Sequence, residues 1–396
     1  MIGVQRKEIY GSILALLLIS RVVAETVNTF AWDKADSIWS SCALVCIGVL
    51  LWPLLAMMAR REKNIFGDYW PIFLYLSFML IRVDFGQLYS VRCFLSEVIV
   101  WFSFIFTVEA CSRNGNTGER VQRLVVWICK FVVVVGMGQL VFSVVHLGNI
   151  DPTKVIESRP VQGIFVHPSI YLIMVLPFSF FFMKQRSYFW LFVVLFVCVS
   201  TGTRSPFLAV VCMSILVYKS ALKRQINLID IGITLAIIIV LYAVLIKMNS
   251  HGWSFENADS RWTFATLRWR VNFWKSFLKS KEGIPIFLGH GVGSADFVAS
   301  DWAGTIGYPP HNDYLRIYYD TGILGIICFI NLAVFILRSL IRSCTIDNDF
   351  AILMYLMIMC FSITDNFIYV TNSILLYIFI SSYISRPSMS AVEVRA

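Results

Sequence analysis

The sequence predicts an all-α polytopic membrane protein of about twelve transmembrane helices with one large hydrophilic loop. Three observations predict it. Of the 396 residues, 58% are hydrophobic and only 14% charged, where soluble domains carry about 25% charge. Apolar runs long enough to cross roughly 30 Å of hydrocarbon recur along the whole chain. The lysines and arginines between those runs fall in alternate connections, the pattern of the positive-inside rule.

The runs cover residues 9–25, 38–59, 66–83, 91–110, 122–146, 169–184, 188–201, 205–219, 228–248, 318–338, 350–367 and 369–385. The two runs flanking Ser200 to Ser205 are each shorter than a full span. The first run follows a basic start without a small-residue cleavage site, and is read as a retained helix. Arg6 and Lys7, Arg60 to Lys63, Arg113 to Arg123, Lys184 and Arg186, Lys219 to Arg224, and Arg338 and Arg342 mark one side. That side is expected to be cytoplasmic, with both termini on it. Segments 147–168, 201–205 and 249–312 are expected on the other side.

The formal charge of +9 is then a matter of topology and anionic headgroups, with no nucleic-acid partner. The ten cysteines lie almost all in or at the ends of apolar runs and act as small packing residues. Their spacing suggests neither a disulfide framework nor a zinc site. With no internal repeat and no linker, residues 1–396 are expected to form one membrane domain. Ionisable residues inside the runs, Glu97, Glu109 and Lys130 together with Arg21 and Glu25, are expected to pair in the bundle interior.

The loop at 249–312 carries the chemistry-bearing residues. From Thr263 to Lys281 apolar positions recur at helical spacing, which predicts an amphipathic helix on the outer surface, ended by Gly283 and Pro285. Arg270 and Trp274 stand four residues apart and share a face of it. Gly289-His290-Gly291-Val292-Gly293 lacks the strand and helix of a nucleotide loop. It is expected to make a tight turn that docks the loop on the membrane domain, with His290 structural.

His311 follows Pro309-Pro310 and stands at the entry to the next span. The prolines fix the entry, and an imidazole there can take a proton from an attacking hydroxyl near neutral pH. It is the candidate catalytic base. Asn312 and Arg316 beside it are candidate substrate contacts. Arg204, in the polar break Ser-Thr-Gly-Thr-Arg-Ser, and Arg268 and Arg270 are candidates for holding a phosphate through the guanidinium fork; Arg261 lies too far upstream to place. Asp347-Asn348-Asp349 falls on the opposite side and is read as a helix cap rather than a metal-binding pair.

Taken together, Ser200 to Ser205, Arg270 with Trp274, Pro285 through Gly293, and His311-Asn312 followed by nine residues, Gly322 and Gly325, resemble the O-antigen ligase and polymerase superfamily over residues 150–330. The resemblance implies a GT-C-like fold in the bacterial inner membrane, with the active site periplasmic. It implies a metal-independent, inverting glycosyltransferase that uses no cofactor and takes an undecaprenyl diphosphate-linked oligosaccharide as donor. By that similarity His311 is the base, Arg204 and Arg270 hold the donor diphosphate, and Arg159 and His167 are further candidates. The acceptor is a second repeat unit in a polymerase, a reading favoured narrowly here, or lipid A core in a ligase; a chain-length regulator is a possible partner. Negative charge developing on a lipid diphosphate leaving group calls for fixed cations in the same way. The rival from another class is a glycan flippase or secondary transporter, which should show repeated halves and a midplane site.

Overall fold

A computed structural model describes residues 65–113, 115–147, 168–201, 213–222, 224, 226–227, 229–234, 236–237, 240, 273–275, 286–303, 310–344, 346–363 and 374–384. Among them every regular element is helical: α1 (Ile65–Asp68), α2 (Trp70–Ile81), α3 (Leu88–Arg113), α4 (Gly115–Leu147), α5 (Pro168–Val175), α6 (Phe178–Lys184), α7 (Tyr188–Ser200), α8 (Ser214–Ala221), α9 (Ser294–Ala303), α10 (Asp313–Ser343), α11 (Phe350–Phe361) and α12 (Ile374–Ser381). Within α3, α4 and α10 lie three stretches long and apolar enough to cross a membrane, Leu88–Ser112, Gly118–Phe142 and Asp313–Ser343. The expected runs at 9–25 and 38–59 lie outside the described residues, as do parts of 205–219, 228–248, 350–367 and 369–385.

Several expected boundaries move for identifiable reasons. The run 169–184 is two helices, because Pro177 has no N–H to continue the ladder and starts α6 afresh. The run 318–338 begins earlier, at Asp313, where Asn312 caps α10: its side-chain oxygen accepts from the backbone N–H of Leu315 at 2.9 Å.

Helix α10 is also sharply bent. At Gly322 the backbone leaves helical geometry (φ 68°, ψ −166°). Tyr314 and Phe329 are fifteen residues apart, about 22 Å along a straight helix, yet their ring centroids lie 6.0 Å apart. A short limb, 313–321, therefore folds toward the long limb, 323–343. The twenty-one residues of the long limb reach about 31 Å, enough to cross the hydrocarbon on their own.

The contacts sort into two ends. At one, Lys184 bonds Asp349 at 2.9 Å and the Ser220 carbonyl at 2.9 Å, while Phe350 meets Tyr383 at 5.0 Å. This gathers the ends of α6, α8 and α12 and the start of α11. At the other, the Val292 N–H donates to the Arg82 carbonyl (3.0 Å) and the Asp313 N–H to the Ser362 carbonyl (2.9 Å), which gathers the end of α2, the loop before α9, the start of α10 and the end of α11. Lys184 thus lies at the end opposite the residues next to His311.

Between the ends the core is apolar and aromatic. Trp101 is buried against Tyr75 and Tyr377, and Tyr75 against Phe329, joining α2, α3, α10 and α12. Aromatic groups meet three of the intramembrane charges, while Arg21 and Glu25 lie outside the described residues. Glu97 accepts from the Trp101 indole (2.7 Å), Glu109 from the Tyr69 hydroxyl (2.9 Å), and the Lys130 ammonium lies 4.9 Å from the Trp190 ring centroid. Asp349 occupies the N-cap position of α11, but its carboxylate is held by Lys184; the expected cap is an ion pair.

Candidate active site

The site is built where the glycine turn meets the bend of α10. Breaking the helix at Gly322 frees the N–H groups of Ile323 and Leu324, and these donate to the carbonyls of Ile286 (2.8 Å) and Phe287 (3.3 Å). In return, the N–H groups of His290 and Gly291 donate to the carbonyls of Tyr319 and Asp320, both at 2.9 Å. Backbone groups at membrane depth must be satisfied internally, and this exchange does so. It requires two bare α-carbons. Gly289 (φ 69°) backs directly onto the Asp320–Thr321 peptide, and Gly322 onto the Phe287 carbonyl, so a Cβ at either position would overlap backbone. The Arg82 guanidinium donates to the Gly289 carbonyl (2.9 Å) and fastens the turn to α2. The ring of His290 stacks on Tyr319 (4.5 Å, 22°), a packing role.

Two buried carboxylates lock α9 to the short limb. Asp320 accepts from the N–H groups of Gly293 (2.9 Å) and Ala295 (2.8 Å) and from the Ser294 hydroxyl (3.1 Å), so it satisfies the N-terminus of α9 from across the fold. Asp296 accepts from the Arg316 guanidinium (2.5 Å) and the Tyr89 hydroxyl (2.5 Å). Arg316 also reaches the Cys93 sulfur (3.5 Å). Burial pushes the Asp296 carboxyl above the usual carboxylate range, against the opposing pull of Arg316 and Tyr89.

His311 sits on the short limb's threshold with a left-handed backbone (φ 51°), a conformation few residues other than glycine adopt. Its neighbours hold it there. On one side the Trp274 indole donates to the Pro310 carbonyl (2.9 Å). On the other Asn312 caps α10, and Asp313 is tied to Ser362 at the end of α11. Phe273, fully buried, packs with Ala295, Ala299 and Tyr319, so the described piece of the amphipathic segment is seated on α9 and α10 beside His311.

Residues 188–330 match the family described as O-antigen ligase. This part of the chain is an O-antigen ligase family domain. The match spans the glycine turn, Trp274, His311, Asn312 and the bend at Gly322, while Arg82, Tyr89, Cys93 and Ser362, which brace them, lie outside it. Members of that family are enzymes acting on glycans, and three helices of this chain are long and apolar enough to cross a membrane. No curated protein matches the chain.

Within the ligase-family domain, His311, Asn312 and Arg316 are brought together at the start of α10, with Arg316 buried and turned to Asp296. Arg204, Arg261, Arg268 and Arg270 lie outside the described residues, as do Arg159 and His167, which precede the domain. Four further residues were not singled out from sequence: Arg82, Tyr89, Asp296 and Asp320. Two carried a signal, since Arg82 closes the apolar run 66–83 and Asp320 lies within 318–338, and a charge at such depth is commonly functional or paired.

Proposed function

We propose that the protein transfers a glycan from an undecaprenyl diphosphate-linked donor to a hydroxyl acceptor on the periplasmic side of the bacterial inner membrane, in surface polysaccharide synthesis. His311 is the base. It takes the acceptor proton as the hydroxyl attacks the anomeric carbon, and the lipid diphosphate leaves from the opposite face, with inversion. The observation that carries this reading is the seat of His311: an imidazole held in a left-handed conformation by Trp274, Asn312 and Asp313, within a ligase-family domain. Such over-determined strain marks functional positions.

Charge on the departing diphosphate is offset by Arg204 and Arg270, with Arg268 and Arg159 as further donor contacts and no metal required. Arg270 is four residues upstream of Trp274, whose indole touches the residue before His311. Asn312 shapes the acceptor side. Arg316 is engaged by Asp296, and its role is positional, as argued below.

Polymerisation is the first reading of the acceptor. The match to a family described as O-antigen ligase supports a second, transfer to lipid A core. Purified protein in nanodiscs, given lipid diphosphate-linked repeat units with or without lipid A core, separates them. A ladder of repeats supports the polymerase and a single core-linked product the ligase. Neither product, with the lipid-linked glycan moved across the membrane instead, would overturn the enzyme in favour of a flippase.

A further inference from the structure

Resting on the assignment of His311 as base, we propose that Asp296, held by Tyr89 and engaged with Arg316, is a positioning residue that sets the height and orientation of His311. Arg316 lies one turn into α10, and its N–H donates to the Asn312 carbonyl (3.0 Å). The guanidinium thus fixes the same turn that Asn312 caps, immediately after His311. Its anchor, Asp296, is on α9, and the anchor of Asp296 is Tyr89 at the start of α3. The connection α3 to α9 to α10 passes through two bonds of 2.5 Å among side chains that are almost wholly buried at Arg316 and Asp296.

Stability alone gives little reason for this arrangement. A buried ion pair is commonly no more stabilising than apolar residues of the same volume, because desolvation cancels the Coulomb gain. What the pair adds is direction: a planar fork and a carboxylate fix distance and angle, which apolar contacts do not. Asp320, one turn further on, makes the reverse link from α10 to the N-terminus of α9. Together they keep the short limb from sliding or turning beneath its bend, and a displacement of about 1 Å at a reacting group costs on the order of 100-fold in rate.

The test replaces the pair by apolar residues, Asp296→Leu with Arg316→Met, alongside Tyr89→Phe, all in the full chain reconstituted in nanodiscs. Three quantities are measured: melting temperature; kcat and KM for lipid-linked repeat units; and the rate at which diethyl pyrocarbonate modifies His311, followed by peptide mass spectrometry. The double variant is expected to melt at or above the parent, lose roughly tenfold or more in kcat with KM unchanged, and change the His311 modification rate about threefold or more. Tyr89→Phe is expected to shift kcat and modification the same way by a smaller factor. Parent-like kcat and modification in the double variant overturn the proposal; if that variant does not fold, parent-like values in Tyr89→Phe overturn it. A parent chain without glycan transfer overturns the catalytic reading instead, and the modification rates still decide whether the pair positions His311.

Discussion

The indole N–H of Trp274 donates to the carbonyl of Pro310 across 2.9 Å, and so a residue of the amphipathic segment is fastened to the peptide that leads into His311. Trp274→Phe removes this bond and keeps an aromatic ring. A loss of about 1 kcal/mol in stability is expected, with a several-fold lower kcat because the left-handed turn at His311 loses one of its restraints. Thermal melting and steady-state transfer rates measure the two effects separately.

The bend of α10 has a strict requirement at its apex. Gly322→Ala places a Cβ against the Phe287 carbonyl at φ 68°, and neither backbone can yield. A cost of about 3 kcal/mol or more is expected, seen as loss of the monodisperse peak in detergent size-exclusion chromatography. Gly138→Ala is the control: its Cβ meets nothing within 4 Å, and a gain of up to about 1 kcal/mol is expected from helix propensity.

At the opposite end, Lys184, partly buried, and Asp349, buried, are 2.9 Å apart. Lys184→Met leaves the Asp349 carboxylate without its cation. A loss of about 3 kcal/mol is expected, read as a lower melting temperature, with kcat unchanged in the fraction that stays folded, since this node is remote from His311.

The raised carboxyl of Asp296 gives a pH dependence with a definite sign. Its folded-state value lies above the ordinary 3.8, so between the two values the folded chain binds more protons than the unfolded one. Stability contributed by this group is fully present below about 3.8 and falls as pH rises through the folded-state value. Melting curves across the acid range should show this slope in the parent. It should be absent in Asp296→Asn, which has no proton to lose.

Much of this was legible in the sequence, and what was not has a physical cause. Runs 91–110 and 122–146 announced α3 and α4 because twenty or more apolar residues admit few alternatives. The glycines at 289–293 announced a turn docked on the membrane domain, because only a residue without Cβ allows two backbones to touch. The bend itself was hidden: His311 read as the entry to a single span continuing through 318–338, since hydropathy records composition and not direction. The partners of Arg316 were hidden for another reason. Asp296 is 20 residues from Arg316, and Tyr89, which bonds Asp296, is a further 207 away, separations that folding alone closes. The neutral donors that Glu97 and Glu109 accept from, Trp101 and Tyr69, were hidden too, because an indole or phenol reads as an apolar residue in a hydropathy profile although it carries a donor.

The most direct test of the account is transfer by His311→Asn. Asparagine tolerates the left-handed backbone at this position, so the turn is kept and only the base is lost. With purified protein in nanodiscs and lipid diphosphate-linked repeat units, the account predicts a fall in kcat of roughly 100-fold or more with the melting temperature of the parent. Transfer by His311→Asn at the parent rate would contradict it.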